Sequence, residues 1–264
     1  MAVVAALQTA PVFGAREQNL AAARAAVGDL RCDLLVLPEL FATGYAFRDA
    51  AEARSLAEPF PDGPTTRFLV ELSAATGGMV VGGLVERDGE RLFNAAAVAC
   101  AGRACLSYRK VHLFGFEREV FEPGGGPFPV LEHAGLKVGV MVCFDWRFPE
   151  VARTLALAGA DVLAHPSNLV LPHCQAAMVT RCLENVVYAV TANRIGTEER
   201  PPRPPLTFTG ASVIVSPRGE TLARAPVERP ALLSATIDPE LARDKRLSSG
   251  NDVFRERRPN TYRL

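Results

Sequence analysis

Along the chain, short apolar runs alternate with stretches in which apolar side chains recur at helical spacing. Residues 3–8 form such a run, residues 19–30 carry the helical spacing, and Leu34-Leu35-Val36-Leu37 reads as a strand buried on both faces, so the chain opens with a β-α-β unit. Pro38 ends the run and leaves Glu39 just beyond the carboxyl end of a buried strand, where ligands of open α/β sheets collect. Asp62-Gly63-Pro64-Thr65 is a turn into a helix that runs to residue 75. Residues 79–85 and 92–99 read as two strands joined at Asp88-Gly89. Residues 137–143 form another buried strand, Pro149 opens a helix to about residue 158, and Gly159 and Asp161 introduce a strand over 162–164, repeating β-α-β. A helix over 174–184, strands near 186–192 and 211–215, a turn at Pro217-Arg218-Gly219 and a strand over 232–237 complete the pattern.

Helices alternating with adjacent strand pairs predict an α/β fold of sheets covered by helices in layers. The irregular, Pro- and Arg-rich stretch 199–205 reads as a surface loop and not as a linker, so residues 1–264 are expected to form one domain. No internal repeat or low-complexity tract interrupts the chain.

Composition narrows the function. The 264 residues carry 29 basic and 29 acidic side chains and are 48% hydrophobic, which excludes a mainly disordered or collagenous chain. A balanced charge with no lysine-rich block offers no footprint for nucleic acid and no reason to expect a membrane surface, which points to a small-molecule partner. The six cysteines, at 32, 100, 105, 143, 174 and 182, are too sparse for a disulfide scaffold and are expected to be reduced. They form no C-x-x-C pair, and the histidines 112, 133, 165 and 173 are scattered, so no metal site is expected. The N-terminal residues lack a basic segment followed by a long apolar one, and no 18 apolar residues run together. A soluble, cytoplasmic protein is the expectation.

Three polar residues stand where an apolar strand gives way to a loop: Glu39, Lys110 and Cys143. A cysteine at a strand end shortly before a helix suits a nucleophile, because backbone N–H groups there can hold an oxyanion. A carboxylate beside it can take the thiol proton, its basicity set by burial against a neighbouring lysine. Of the 29 basic residues only Lys110, Lys137 and Lys245 are lysines, so the chain uses arginine wherever a generic positive charge suffices. Lys110 therefore hints at a position that needs a compact ammonium. Lys137, at a strand edge, and Lys245, in a charged helical stretch, read as incidental. Taken singly, Cys143 reads more readily as a small buried hydrophobe, Glu39 as a cap or ion-pair carboxylate and Lys110 as a surface charge. His112 and His165 read as structural residues. Gly124-Gly125-Gly126 reads as a flexible turn, because no Gly-Lys-Ser/Thr follows it.

Together these residues carry a resemblance. Asp33-Leu34-Leu35-Val36-Leu37-Pro38-Glu39, Tyr108-Arg109-Lys110-Val111-His112 with Glu117, and Gly139-Val140-Met141-Val142-Cys143-Phe144-Asp145-Trp146-Arg147-Phe148-Pro149-Glu150 stand in the order and spacing of the nitrilase superfamily of carbon–nitrogen hydrolases. Pro166-Ser167-Asn168 and Asn193-Arg194 extend the resemblance, which is nearest the aliphatic amidase-like and archaeal-type members and spans nearly the whole chain. It implies a four-layer α-β-β-α sandwich whose subunits pair, with the segment 252–264 crossing to the partner. It also implies a Glu-Lys-Cys triad: Glu39 as general base, Cys143 as nucleophile, and Lys110 with the Phe144 N–H as oxyanion donors. Glu117 would orient the lysine or the substrate. Tyr45, Phe116, Trp146 and Asn168 lie beside these motifs and are expected to form the pocket. No metal or cofactor is implied.

The chain follows its cysteine with Phe144-Asp145-Trp146 where nitrile-cleaving members commonly have Trp-Glu, which favours a small aliphatic amide as substrate over a nitrile. Arg147 or Arg194 would either hold a substrate carboxylate or form structural ion pairs. A non-catalytic amide-binding subunit and a Cys–His hydrolase are the readings of other classes, and the first is disfavoured by the intact triad.

Overall fold

The computed structural model describes residues 1–262. In chain order the elements are β1 (Ala2–Gln8), α1 (Arg16–Val27), β2 (Leu34–Val36), α2 (Ala50–Leu56), α3 (Pro64–Thr76), β3 (Met79–Asp88), β4 (Arg91–Cys100), β5 (Arg103–Arg109), α4 (Glu117–Val120), β6 (Val130–His133) and β7 (Leu136–Val140). A short 3-10 helix over Cys143–Arg147 leads to α5 (Pro149–Leu157), β8 (Val162–Pro166), α6 (Cys174–Asn185), β9 (Tyr188–Ala192), β10 (Thr197–Glu198) and β11 (Leu206–Thr207). Then follow β12 (Val213–Val215), β13 (Thr221–Arg224), β14 (Ala231–Ile237), α7 (Glu240–Arg243), and the short pair β15 (Arg246–Ser248) and β16 (Asn251–Asp252).

Two six-stranded sheets form the centre, in the orders β14-β1-β2-β3-β4-β5 and β13-β12-β9-β8-β7-β6. The period-two geometry of a strand explains how one sequence run serves two cores. Val4 and Ala6 of β1 face the second sheet, whereas Ala5 and Leu7 face Leu20, Ala23 and Leu72 of α1 and α3. Beyond the second sheet, Leu155 of α5 and Met178 of α6 close the other side. The result is the α-β-β-α sandwich, and its double burial is why the strands read as unbroken apolar runs.

The helix signals act where they stand in the sequence. Pro64 and Pro149 occupy first turns, where a missing N–H costs nothing, and Gly77 ends α3 with φ of 84°. Asp49 caps α2 by accepting a hydrogen bond from the Glu52 N–H at 2.8 Å. Among the described residues no helix is long and apolar enough to cross a membrane.

Several expectations are corrected. Strands β5 and β6 and helix α2 were not foreseen, because β5 and β6 are half-buried edge strands of mixed polarity and α2 is short. Cys100 and Cys105 are disulfide-bonded across the β4–β5 turn, with Cα atoms 6.5 Å apart, so only Cys32, Cys143, Cys174 and Cys182 are free thiols. Spacing alone misses this pair, because a bulge between Val98 and Ala99 sets which residues of the hairpin meet. Lys245 lies after α7 and not within a helix. Gly124 is more than a flexible turn residue: a Cβ there would lie 2.0 Å from the Arg109 carbonyl oxygen.

Candidate active site

The loop from Leu37 to Phe47 is buried throughout and carries Glu39 and Tyr45 away from the end of β2. Beside it β3 passes so closely that a Cβ on Gly83 would sit 2.3 Å from the Leu40 nitrogen and 2.5 Å from the Glu39 Cα. Glycine at 83 thus lets the strand support Glu39 from behind. Lys110 follows β5, its N–H donating to the Asn94 carbonyl at 2.8 Å, and Glu117 opens α4 one loop later. These three side chains are fully buried and joined: Lys110 Nζ donates to Glu39 Oε1 at 2.7 Å and to Glu117 Oε1 and Oε2 at 2.7 and 2.9 Å.

Burial by itself would lower the Lys110 pKa. The Glu117 and Glu39 carboxylates outweigh it and hold the ammonium above its ordinary range. Glu117 moves upward because burial and the Glu39 charge outweigh Lys110. The Tyr45 phenol is likewise pushed well up, first by burial and then by Glu117, so it stays protonated and donates to Glu117 Oε1 at 2.6 Å.

The second sheet supplies Cys143. It follows β7 at the start of the 3-10 turn, with φ of 42°, a left-handed conformation that costs a non-glycine residue free energy and persists only where its surroundings enforce it. The enforcing groups are specific. Asp145, fully buried, accepts from Val142 N at 2.9 Å, Tyr108 Oη at 2.9 Å, and His112 N at 3.2 Å, and its Oδ1 lies 2.7 Å from His112 Nδ1. His165 Nε2 lies 3.0 Å from the Cys143 carbonyl oxygen. The thiol is pushed well above its usual pKa, first by burial and then by the Glu39 charge, with Lys110 opposing them. A thiol held this way favours its neutral form, so a nucleophilic role would call for a base beside it.

A small cleft opens over Cys143, lined by Phe114, Phe144, Trp146, Asn168, Leu169, Val170 and Leu171. Asn168 is 2% exposed, yet neither its Oδ1 nor its Nδ2 has a partner among the described residues, and Glu39 Oε2 is also unpartnered. The two unsatisfied Asn168 atoms on the cleft wall are what a polar ligand would satisfy.

Of the expected pocket residues, Trp146 and Asn168 line the cleft, together with Phe144, the expected oxyanion donor, while Tyr45 and Phe116 do not. Tyr45 is buried and braces Glu117, and Phe116 packs edge-on against Tyr45 with its other side beneath the Arg203 guanidinium. The loop 199–205 is therefore tied down, with Arg203 also donating to the Phe47 and Arg48 carbonyls. Arg194 is a structural ion pair with Glu198, whose carboxylate also accepts from the Tyr45 and Ala46 N–H groups at 3.1 and 2.7 Å. Arg147 is exposed beside the Trp146 ring.

The sequence reading missed Asn94, whose Nδ2 donates to Glu39 Oε1 at 2.7 Å, although a lone amide in the otherwise apolar β4 was a signal. It also missed Glu198, which no local pattern distinguishes from ordinary buried polar residues, and it read His165 as structural without its partners.

The model of the carbon–nitrogen hydrolase family matches residues 3–247. A nitrilase of Pyrococcus abyssi is 48% identical over 229 residues, covering 87% of this chain and 86% of that protein. An N-carbamoylputrescine amidase of Arabidopsis thaliana is 32% identical over 271 residues, covering 93% and 89%. A cysteine-to-alanine mutant of the amidase of Nesterenkonia sp. AN1, solved in complex with butyramide, superposes with a TM-score of 0.75 at 28% identity, covering 92% of this chain and 94% of that one.

Proposed function

The chain belongs to the carbon–nitrogen hydrolase family, and from that premise we propose that it hydrolyses small uncharged aliphatic amides to a carboxylic acid and ammonia through a Cys143 thioester. The observation that carries this reading is the buried Glu39–Lys110–Glu117 cluster beside a strained cysteine at the foot of a small cleft. Glu39 takes the thiol proton as Sγ bonds to the amide carbon. The carbonyl oxygen becomes an oxyanion that accepts from Lys110 Nζ and the Phe144 N–H. Collapse breaks the C–N bond, and Glu39 returns the proton to the leaving ammonia. Glu39 then deprotonates a water that attacks the thioester, and the acid leaves as the thiol is reprotonated.

The cleft walls support the substrate class. They are aromatic and aliphatic apart from Cys143 and Asn168, and among the described residues no lysine, arginine or carboxylate lines them. A charged acyl chain would enter without a counter-ion, at a desolvation cost. Asn168 supplies one donor and one acceptor to a neutral group. Nitrile hydrolysis through a thioimidate is the second reading, favoured by the identity to the Pyrococcus abyssi nitrilase. We also infer that two copies of the chain pair, with 252–264 crossing between them.

The test is ammonia release from matched neutral, anionic and cationic amides and nitriles, alongside Cys143→Ala and intact-mass detection of an acyl adduct. Cys143-dependent release, highest for neutral amides, is expected. Release that survives Cys143→Ala, or a preference for charged acyl chains, would overturn the reading, and a preference for nitriles would replace it with the second.

A further inference from the structure

His165 lies on β8 opposite Thr191 of β9, fully buried behind the nucleophile. Its Nε2 is 3.0 Å from the Cys143 carbonyl oxygen, and its Nδ1 is 3.1 Å from Thr191 Oγ1. A carbonyl oxygen only accepts, so Nε2 must carry the hydrogen. Nδ1 is then bare and accepts from the Thr191 hydroxyl. Ser167 Oγ, 3.0 Å from Nε2 and 3.3 Å from the His165 carbonyl oxygen, fits the same tautomer by donating to that carbonyl and sharing the Nε2 hydrogen as a second acceptor. Burial pushes the His165 pKa down to about 4, which keeps this neutral form at neutral pH.

The peptide that accepts this bond joins Cys143 to Phe144. A trans peptide is planar, with its C=O and N–H on opposite sides, so holding the oxygen sets the direction of the N–H. The Phe144 N–H has no acceptor among the described residues, and the φ of 42° at Cys143 is a conformation that something outside the residue must maintain. We infer that His165 is a positioning residue that fixes the plane of the Cys143–Phe144 peptide and so aims the Phe144 N–H at the developing oxyanion. The inference rests on the thioester reading, in which that N–H is an oxyanion donor. A histidine that merely fills the core would support the thiol and the peptide alike.

The experiment separates these two roles. Wild type, His165→Leu, His165→Gln and Thr191→Val are compared for kcat and KM on the best amide, and for the rate at which methyl methanethiosulfonate modifies Cys143. The thiolate attacks that reagent's sulfenyl sulfur, an S–S bond forms as the S–SO2 bond breaks, and methanesulfinate leaves, so no tetrahedral oxyanion forms on carbon for the Phe144 N–H to hold. His165→Leu is expected to lower kcat by about tenfold or more, short of the roughly 10²–10³ of losing a donor outright, with KM little changed. Its thiol modification should stay within about twofold of wild type, since no oxyanion donor takes part. His165→Gln, which can still donate, should recover most of the rate. Thr191→Val, which leaves Nδ1 without its donor, should show the same split more weakly, and it decides the matter should the leucine variant not fold. Thiol modification and turnover falling together, glutamine failing as leucine does, or an unchanged kcat would each overturn the inference. A wild-type chain that turns over no amide overturns the thioester reading itself and the inference with it, an outcome distinct from any variant result.

Discussion

Lys110 is a cation kept in the interior by two carboxylates, and its charge depends on both. Glu117 meets three donors: Lys110 Nζ, which touches both of its oxygens, Tyr45 Oη at 2.6 Å, and the Phe114 N–H at 3.2 Å. A glutamine has one acceptor oxygen, so Glu117→Gln must turn an N–H toward at least one of these donors. The substitution is expected to lower kcat by about 10²-fold, the scale of a lost oxyanion donor. It should also destabilise the fold by roughly 1–3 kcal/mol, the cost of an unsatisfied buried group. Steady-state kinetics with calorimetry checks both, and a wild-type kcat in the Glu117→Gln variant would remove Glu117 from the mechanism. At this scale chemistry and position in the sequence single out Glu39, Lys110 and Cys143, the family resemblance adds Glu117, and the structure joins Glu39, Lys110 and Glu117 in one buried cluster. The sequence was silent for His165 and Asp145 in their bracing roles, since their partners are distant in the chain.

Helix α6 ends at Asn185, and Val186 turns left-handed with φ of 48°. The last carbonyls are met by Lys245, whose Nζ donates to the oxygens of Asn185 at 3.0 Å and Val186 at 2.7 Å. Lys245 thus has a definite task, the one spacing could not reveal, and burial pushes its pKa down to about 8. Below pH ~8 both folded and unfolded chains are protonated there and the folded state bears the cost of the buried charge. Between pH ~8 and the unfolded value near ~10.4 the unfolded chain binds more protons, so this residue's contribution to stability rises with pH. The Tm of the wild type minus that of Lys245→Met is therefore expected to increase from pH ~8 to ~10. A difference that is flat or falls over that range would contradict the burial of this amine.

The whole molecule joins the two sheets so that Glu39 and Lys110 arrive from one and Cys143 and Asn168 from the other. The segment expected to cross to a partner is described as far as Tyr262, with its last two residues outside the described ones. Within its own chain, Phe254 lies beneath the Arg153 guanidinium and the Lys245 ammonium, while Tyr262 is 51% exposed. Under the proposed pairing, sedimentation should give the full chain twice its single-chain mass, and truncation after Asn251 should shift it toward one. An unchanged mass on truncation would free this segment from the interface.

The local pattern of side chains determined the order of most strands and helices, the burial of the central strands on both faces, and the residue types able to carry out acyl transfer. It could do so because periodicity and turn chemistry act over a few residues. Only the tertiary structure decided that Lys110 lies between Glu39, 71 residues earlier, and Glu117, 7 later. It alone decided that Asn94 meets Glu39, that Tyr45 braces Glu117 instead of lining the cleft, and that Cys100 pairs with Cys105. Those contacts follow from strand order, register and the stacking of two sheets, which bring together residues whose neighbours in the chain carry no trace of one another.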